Sequence, residues 1–227
     1  MIKYYNKFSL DYLRKILKTA LDEGYQFKTL KDYYTSGTNP DKVFLLRHDL
    51  DAKPQHLMPM LELQVDLGIR STTFIRINAG DYNPFDYKTF PILNYASNNG
   101  FELGLHTNFV EFSAIHGLDP EKTLKAELEC LRSFFNIESL TPHRDINYAI
   151  NALPWIESNW EKLKSKYNLI YHGYEPLFIQ NTKYLNEGLN PHLCWRNGDP
   201  IDIIKTGQPI YMLLHPHWWY KNHPFEY

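Results

Sequence analysis

Four short apolar runs in this sequence end in histidine or aspartate, and that repetition leaves few folds open to the chain. The run from Val43 to Leu46 leads through Arg47 into His48, Asp49, Leu50 and Asp51. The run from Phe101 to Leu105 ends at His106, a short segment near Ser139 to Thr141 ends at His143 and Arg144, and the run from Ile210 to Leu214 ends at His215. Short continuous apolar runs suit strands buried on both faces, as in a parallel sheet. Parallel strands need helical crossovers, and helical patterns lie between the runs. Ser9 precedes Leu10, Leu13, Leu17, Ala20 and Leu21 at helical spacing, and Gly24 is the stop. Positions 54–67 read as a helix closed by Gly68, 72–77 as a strand, and 86–99 as a helix that carries Pro91 and stops at Gly100. Asp119 is an N-cap before Pro120, and Leu124, Leu128, Leu131 and Phe135 form an apolar stripe behind it. A further strand is expected over 168–171, ending at His172, and a polar loop over 35–40. The expected architecture is α/β with a mostly parallel sheet. No repeat, low-complexity stretch or linker divides the 227 residues, so one domain over 1–227 is expected.

In α/β barrels and open sheets, functional groups gather at the C-terminal ends of strands. One histidine at a strand end means little, because a hydrogen-bonded structural histidine is commoner. Four such ends make a shared site the better reading. Asp49 and Asp51 are two apart, so in a strand they point to one face. Two carboxylates this close repel, and one should titrate high unless a cation lies between them. A divalent metal resolves the conflict: one carboxylate binds it, and the other serves as general base toward a water that the metal activates. The alternative is a pair satisfied by backbone N–H groups and Arg47. His106 offers a neutral imidazole, which suits zinc and similar metals. A catalytic zinc normally has three protein ligands. His143 is the first candidate for the third, with Asn108 and Glu111 behind it. Arg144 has three possible tasks: to hold a phosphate, to hold a carboxylate, or to fix Asp49. His215 is placed to act as general acid. His217 is expected to face solvent, while Trp218 and Trp219 either roof the pocket or cap the core. His56, His116, His192 and His223 read as surface residues.

Composition excludes some classes. Lys+Arg 24 against Asp+Glu 26 leaves a net charge of -2, which gives no support for nucleic-acid binding. Aromatic residues make up 15% of the chain, a high share that suits core and barrel walls first and a sugar site as the alternative. Cys130 lies in an apolar helical pattern and reads as a buried inert thiol, and neither it nor Cys194 belongs to a CxxC pair. The absence of a disulfide framework, of a signal-like segment over 1–10 and of a membrane-length apolar run favours a cytoplasmic location.

Taken in order, these residues resemble the polysaccharide deacetylase family (the NodB homology domain, carbohydrate esterase family 4). They are more similar still to a divergent subgroup found among O-antigen and capsule biosynthesis proteins. The resemblance runs from about Val43 to Trp219. The segment Arg47 to Asp51 looks like the first family motif, which implies Asp49 as base and Asp51 as metal ligand. The segment Phe101 to His106 looks like the second, which implies His106 as a metal ligand. The segment Thr141 to Arg144 resembles the subgroup's His-Arg segment, and Tyr184 and Trp195-Arg196 resemble its stretch before the last strand. The segment His215 to Trp219 resembles the closing motif, which implies His215 as general acid. The family fold is a distorted, incomplete (β/α) barrel. One departure is plain: the family's second metal-binding histidine falls at Val110, and the subgroup's acidic residue falls at Asn108. The resemblance implies a metal-dependent hydrolase, zinc first among metals, that removes an acetyl group from an N-acetylated sugar. The other classes to weigh are a non-catalytic saccharide-binding protein and a metal phosphoesterase.

Overall fold

Along each central strand, side chains alternate between an inner and an outer face, and the two faces bury against different partners. The computed structural model describes residues 8–37, 39–144, 150–187 and 195–221. Cys194, His192 and His223 lie outside the described residues. The strands are β1 (Gln26–Lys28), β2 (Val43–Leu50), β3 (Thr72–Arg76), β4 (Glu102–Thr107), β5 (Ser139–Pro142), β6 (Tyr171–His172), β7 (Lys183–Asn186) and β8 (Ile210–Leu214). The helices are α1 (Leu10–Asp22), α2 (Leu30–Thr35), α3 (Leu57–Asp66), α4 (Thr89–Asn98), α5 (Phe109–His116), α6 (Pro120–Arg132), α7 (Leu153–Tyr167), α8 (Pro176–Asn181) and α9 (Pro200–Ile204).

Every strand pair is parallel, and the order across the sheet is β6-β5-β4-β3-β2-β8-β7. This is the order of a ring. The strands follow the chain from β2 to β6 on one side, and β8 then β7 continue it on the other. Closure would need β6 to meet β7, and among the described residues no ladder joins them. The sheet is therefore a curled, incomplete (β/α) barrel flanked by helices. β1 pairs with β2 over Val43 to Leu45, on the edge that β3 takes over from Arg47 onward.

The inner face carries Val43, Leu45, Phe74, Tyr171 and Tyr211, packed with Leu30 and Tyr33 of α2. Phe178 of α8 fills the space beside the opening, 5.2 Å from the Tyr171 ring and 5.7 Å from that of Tyr211. On the outer face, Phe44, Leu46, Met212 and Leu214 pack with α1, α3 and α9, while Leu103, Leu105 and Leu140 pack with α4, α6 and α7. No helix among the described residues is long and apolar enough to cross a membrane.

The expected elements form, with shifts that have local causes. Ser9 caps α1 by accepting from Tyr12 N at 3.2 Å. Pro91 sits in the first turn of α4, where its missing N–H costs nothing. The strand expected at 168–171 starts later, because Asn168 takes a left-handed φ of 51° to end α7. Cys130 is exposed rather than buried: Leu124, Leu128 and Leu131 form the inner stripe of α6, and Cys130 points away from it. His56 is not a free surface group, since its Nδ1 lies 2.8 Å from the Trp219 carbonyl.

Gly104 of β4 marks the tightest point of the interior. A Cβ there would stand 2.5 Å from two ring carbons of Phe74 and 2.8 Å from Ser139 Oγ. Gly104→Ala should therefore lower stability by about 1–3 kcal/mol. The expected result is a lower denaturant midpoint at unchanged slope; an unchanged midpoint would mean that the Phe74 ring yields freely.

Candidate active site

The inward alternation of β2 continues upward from Leu45 to Arg47 and Asp49, and sets the floor of the site. Arg47 is fully buried, yet each of its five N–H groups has an acceptor. Nε donates to Asp49 Oδ1 at 2.7 Å, and Nη2 to Asp49 Oδ2 at 2.6 Å and Thr141 Oγ1 at 2.7 Å. Nη1 donates to the Tyr211 hydroxyl at 3.0 Å and the Gly173 carbonyl at 3.4 Å. The guanidinium lies between the rings of Phe74 and Tyr174, 5.1 and 4.9 Å from their centres. Burial alone would raise the Asp49 pKa, but the charge of Arg47, then that of His106, holds it below the usual carboxylate range. For Asp49, then, satisfaction by Arg47 is what the fold provides. Arg144 does not take that task. It is exposed on the wall of the cleft above.

Asp51, just past β2, is placed differently. Its Oδ1 is buried and has no hydrogen-bond partner among the described residues. Around it stand His106 Nε2 at 3.1 Å, from β4, and His143 Nε2 at 3.7 Å, from the end of β5. His106 Nδ1 lies 3.1 Å from the Thr141 carbonyl, which can only accept, so Nδ1 carries a hydrogen, and in the neutral ring the lone pair is on Nε2. That lone pair faces Asp51 and, at 3.5 Å, Asp49 Oδ2. A nitrogen so placed beside two carboxylates either carries a second ring proton shared with them or offers its lone pair to a cation between them. Burial, then the neighbouring His106, pushes the His143 pKa down to about 4, so His143 is in the neutral form that binds metals. One ligand atom from each of Asp51, His106 and His143 lies within 4.8 Å of the others, so the three could hold a metal ion. Ligands at zinc distances from a tetrahedral centre stand about 3.4 Å apart, close to the separations of Asp51 from the two histidines. One contact opposes this: Arg76 Nη1 lies 3.3 Å from His143 Nε2.

The other candidates for a third ligand are not in this group. Asn108 accepts from Asn78 Nδ2 at 2.7 Å, and Val110 is packed in the outer core. Glu111, buried on α5, is absent from the ligand cluster.

His215 faces Asp51 from the β8 end, with Nε2 3.8 Å from Asp51 Oδ2. Behind it is a residue that sequence reasoning missed. Glu187, fully buried after β7, accepts from His215 N at 2.8 Å and from the Trp219 indole at 2.8 Å, and lies 3.1 Å from His215 Nδ1. Burial lowers the His215 pKa, but the Glu187 hydrogen bond and charge, then Asp51 and Asp49, outweigh it and raise it to about 9. No strand-end motif flags Glu187. The only signal is an acid just past a run that alternates too briefly to stand out. Glu127 of α6 was missed likewise: it accepts from the Thr107 hydroxyl beside His106, and burial pushes it up to about 7.

These groups open on a cleft of about 570 Å³ at the C-terminal ends of the strands. His217, expected to face solvent, lines it and is partly buried. The two tryptophans divide: Trp218 lines the cleft and Trp219 is buried in the outer core. His48 points outward, takes Gln64 Nε2 at 3.0 Å and is pushed down to about 4 by burial, so it is structural. His172 also points outward and packs against Trp160 at 4.8 Å.

No protein-family model matches the chain, and no curated protein matches it.

Breaking a buried ion pair costs about 3–5 kcal/mol, whereas replacing both partners with apolar groups costs far less. Arg47→Met should therefore lower stability by about that amount, and adding Asp49→Leu should restore more than half of it. A denaturant-based double-mutant cycle reads this directly. Equal losses in the single and double variants would show that Thr141, Gly173 and Tyr211, not Asp49, are what Arg47 serves.

Proposed function

We propose that the open barrel is of the polysaccharide-deacetylase type, and that its cleft is a metal-dependent hydrolytic site that removes an acetyl group from an N-acetylated sugar or polysaccharide precursor. The observation that carries this reading is the pairing of two different aspartates on one strand end. Asp49 is saturated by Arg47, while Asp51 turns a buried, unbonded oxygen toward His106 and His143. A divalent metal on Asp51, His106 and His143, zinc by preference, would supply Lewis-acid activation of water and of the acetyl carbonyl. Asp49 stays ionised beside that point and takes the proton from the attacking water. Arg47 holds the carboxylate in place and limits its basicity, so the proton is held only in passing. His215, with Nδ1 fixed on Glu187, directs Nε2 into the cleft and gives its proton to the leaving amine. The rings of Tyr174, Tyr184 and Trp218 on the cleft wall suit the apolar faces of a sugar.

A second reading, a saccharide-binding protein without catalysis, is favoured by one contact. Arg76 approaches the nitrogen of His143 that a metal would need.

Two measurements separate these readings. Elemental analysis of tag-free protein should find about one transition metal per chain, lost in Asp51→Ala and in His143→Ala. Metal kept by the His143 variant would move the third ligand elsewhere, and no metal after incubation with zinc would favour the binding protein. Asp49→Asn should lower stability, because it leaves the buried Arg47 charge unpaired; assayed well below its melting point it should keep its metal while acetate release from N-acetylglucosamine oligomers falls about 10²-fold or more, and full activity in that variant would sink the assignment of Asp49 as base.

A further inference from the structure

Several cations of this protein have partners. Arg47 serves Asp49, Arg132 donates to the Ile137 and Asn168 carbonyls, Arg70 donates to the Ile69 carbonyl, and Lys162 and Lys166 share Glu121. Two arginines of the cleft differ. Arg144, at the end of β5, and Arg196 are both exposed on its wall, and neither side chain pairs with a carboxylate or donates to a carbonyl among the described residues. They come from two sides of the barrel mouth. Arg144 follows β5, which pairs with β6 on one flank of the opening. Arg196 is tied by its backbone N–H to the Asn186 carbonyl at 3.1 Å, at the end of β7 on the other flank. Among the described residues the cleft acids are engaged elsewhere: Asp49 is taken by Arg47, Glu187 by His215 and Trp219, and Asp51 stands among histidines. Two guanidinium groups without a carboxylate partner among the described residues, on the wall of one sugar-sized cleft, add positive charge there that a neutral sugar does not use.

We propose that the substrate of this cleft is an acetylated sugar that carries an anionic group, a phosphate or a carboxylate, and that Arg144 and Arg196 bind that anion. The proposal rests on the deacetylase reading for the word acetylated only; the anion site stands on the arginines. Guanidinium groups bind both oxyanions through paired N–H bonds, so they alone do not choose between a sugar phosphate and a uronic acid. They act as specificity determinants away from the reacting atoms.

Titration calorimetry on the full chain tests this with three probes: N-acetylglucosamine 1-phosphate, N-acetylglucosaminuronic acid and uncharged N-acetylglucosamine. At least one charged sugar should bind about tenfold or more tighter than the neutral one, with a preference that shrinks as salt rises. The better of the two charged sugars identifies the source of the anion. The double variant Arg144→Gln/Arg196→Gln should erase the preference, while its melting curve stays that of wild type. Equal affinity for all three sugars, or a preference that survives in the double variant, overturns the proposal. Acetate release, followed in parallel, separates the two ideas. Hydrolysis with no charge preference ends the anion site and leaves the deacetylase. Arginine-dependent binding of a charged sugar with no hydrolysis ends the deacetylase and leaves the anion site.

Discussion

The ion pair of Arg47 and Asp49 is the constraint around which the inside of the barrel is arranged. A fully buried guanidinium loses several kcal/mol of hydration, and only a complete set of acceptors offsets that loss. Here the set is drawn from β2 (Asp49), β5 (Thr141), the end of β6 (Gly173) and β8 (Tyr211), with Phe74 of β3 against one ring face. These strands cannot shift independently without stripping a donor. The pair thus ties the end of β6, on one flank of the opening, to β8, the neighbour of β7 on the other, through the interior. It also explains Gly173, where a Cβ would stand 2.9 Å from Arg47 Nη1 and 2.8 Å from Thr141 Oγ1.

The same pair divides the labour of two carboxylates that the sequence places two residues apart. Once Arg47 has taken Asp49, the mutual repulsion of the acids no longer needs one shared cation. What remains is Asp51, close to two imidazoles and bonded through Oδ1 to neither. On the proposed reading, a base that is kept ionised and a ligand that is kept open are different needs, and one strand end meets both because its two acids rise to different heights above the arginine.

Much of this was legible in the sequence where periodicity was strong. The buried run into Asp49, the caps at Ser9 and Asp119, and the convergence of Asp49, Asp51, His106, His143 and His215 on one face of the sheet all follow from strand ends and spacing. Other features were not legible, each for a physical reason. The helix α7 did carry a signal, Ile156, Trp160, Leu163 and Tyr167 at helical spacing, whereas β7 has only four residues, too few for a period of two to register. Arg47 looked like a minor alternative for the acid pair, because sequence cannot tell a buried arginine from an exposed one. Glu187 acts through partners 28 and 32 residues away, a relation that no local pattern holds. Val110 reads as a lost ligand in sequence. In the fold it is an outer-core residue of α5, and the second imidazole of the candidate cluster comes instead from His143, just past β5.

That exchange of a helix position for a strand end has a consequence for metal affinity. His143 is locked beside His106 by its backbone N–H, which donates to the Thr107 carbonyl at 2.7 Å and extends the β4–β5 ladder by one bond. A ligand held by a ladder is more rigid than one on a helix turn, and rigidity favours binding because less freedom is lost. Yet the site that gains this rigidity also gains Arg76, whose Nη1 stands 3.3 Å from His143 Nε2 at the end of the neighbouring strand β3. A guanidinium and a metal ion compete for that one lone pair, and their charges repel. On the proposed reading, a metal on His143 would require Arg76 to withdraw. Its affinity would then be the intrinsic affinity of the three ligands multiplied by the fraction of chains in which Arg76 has left.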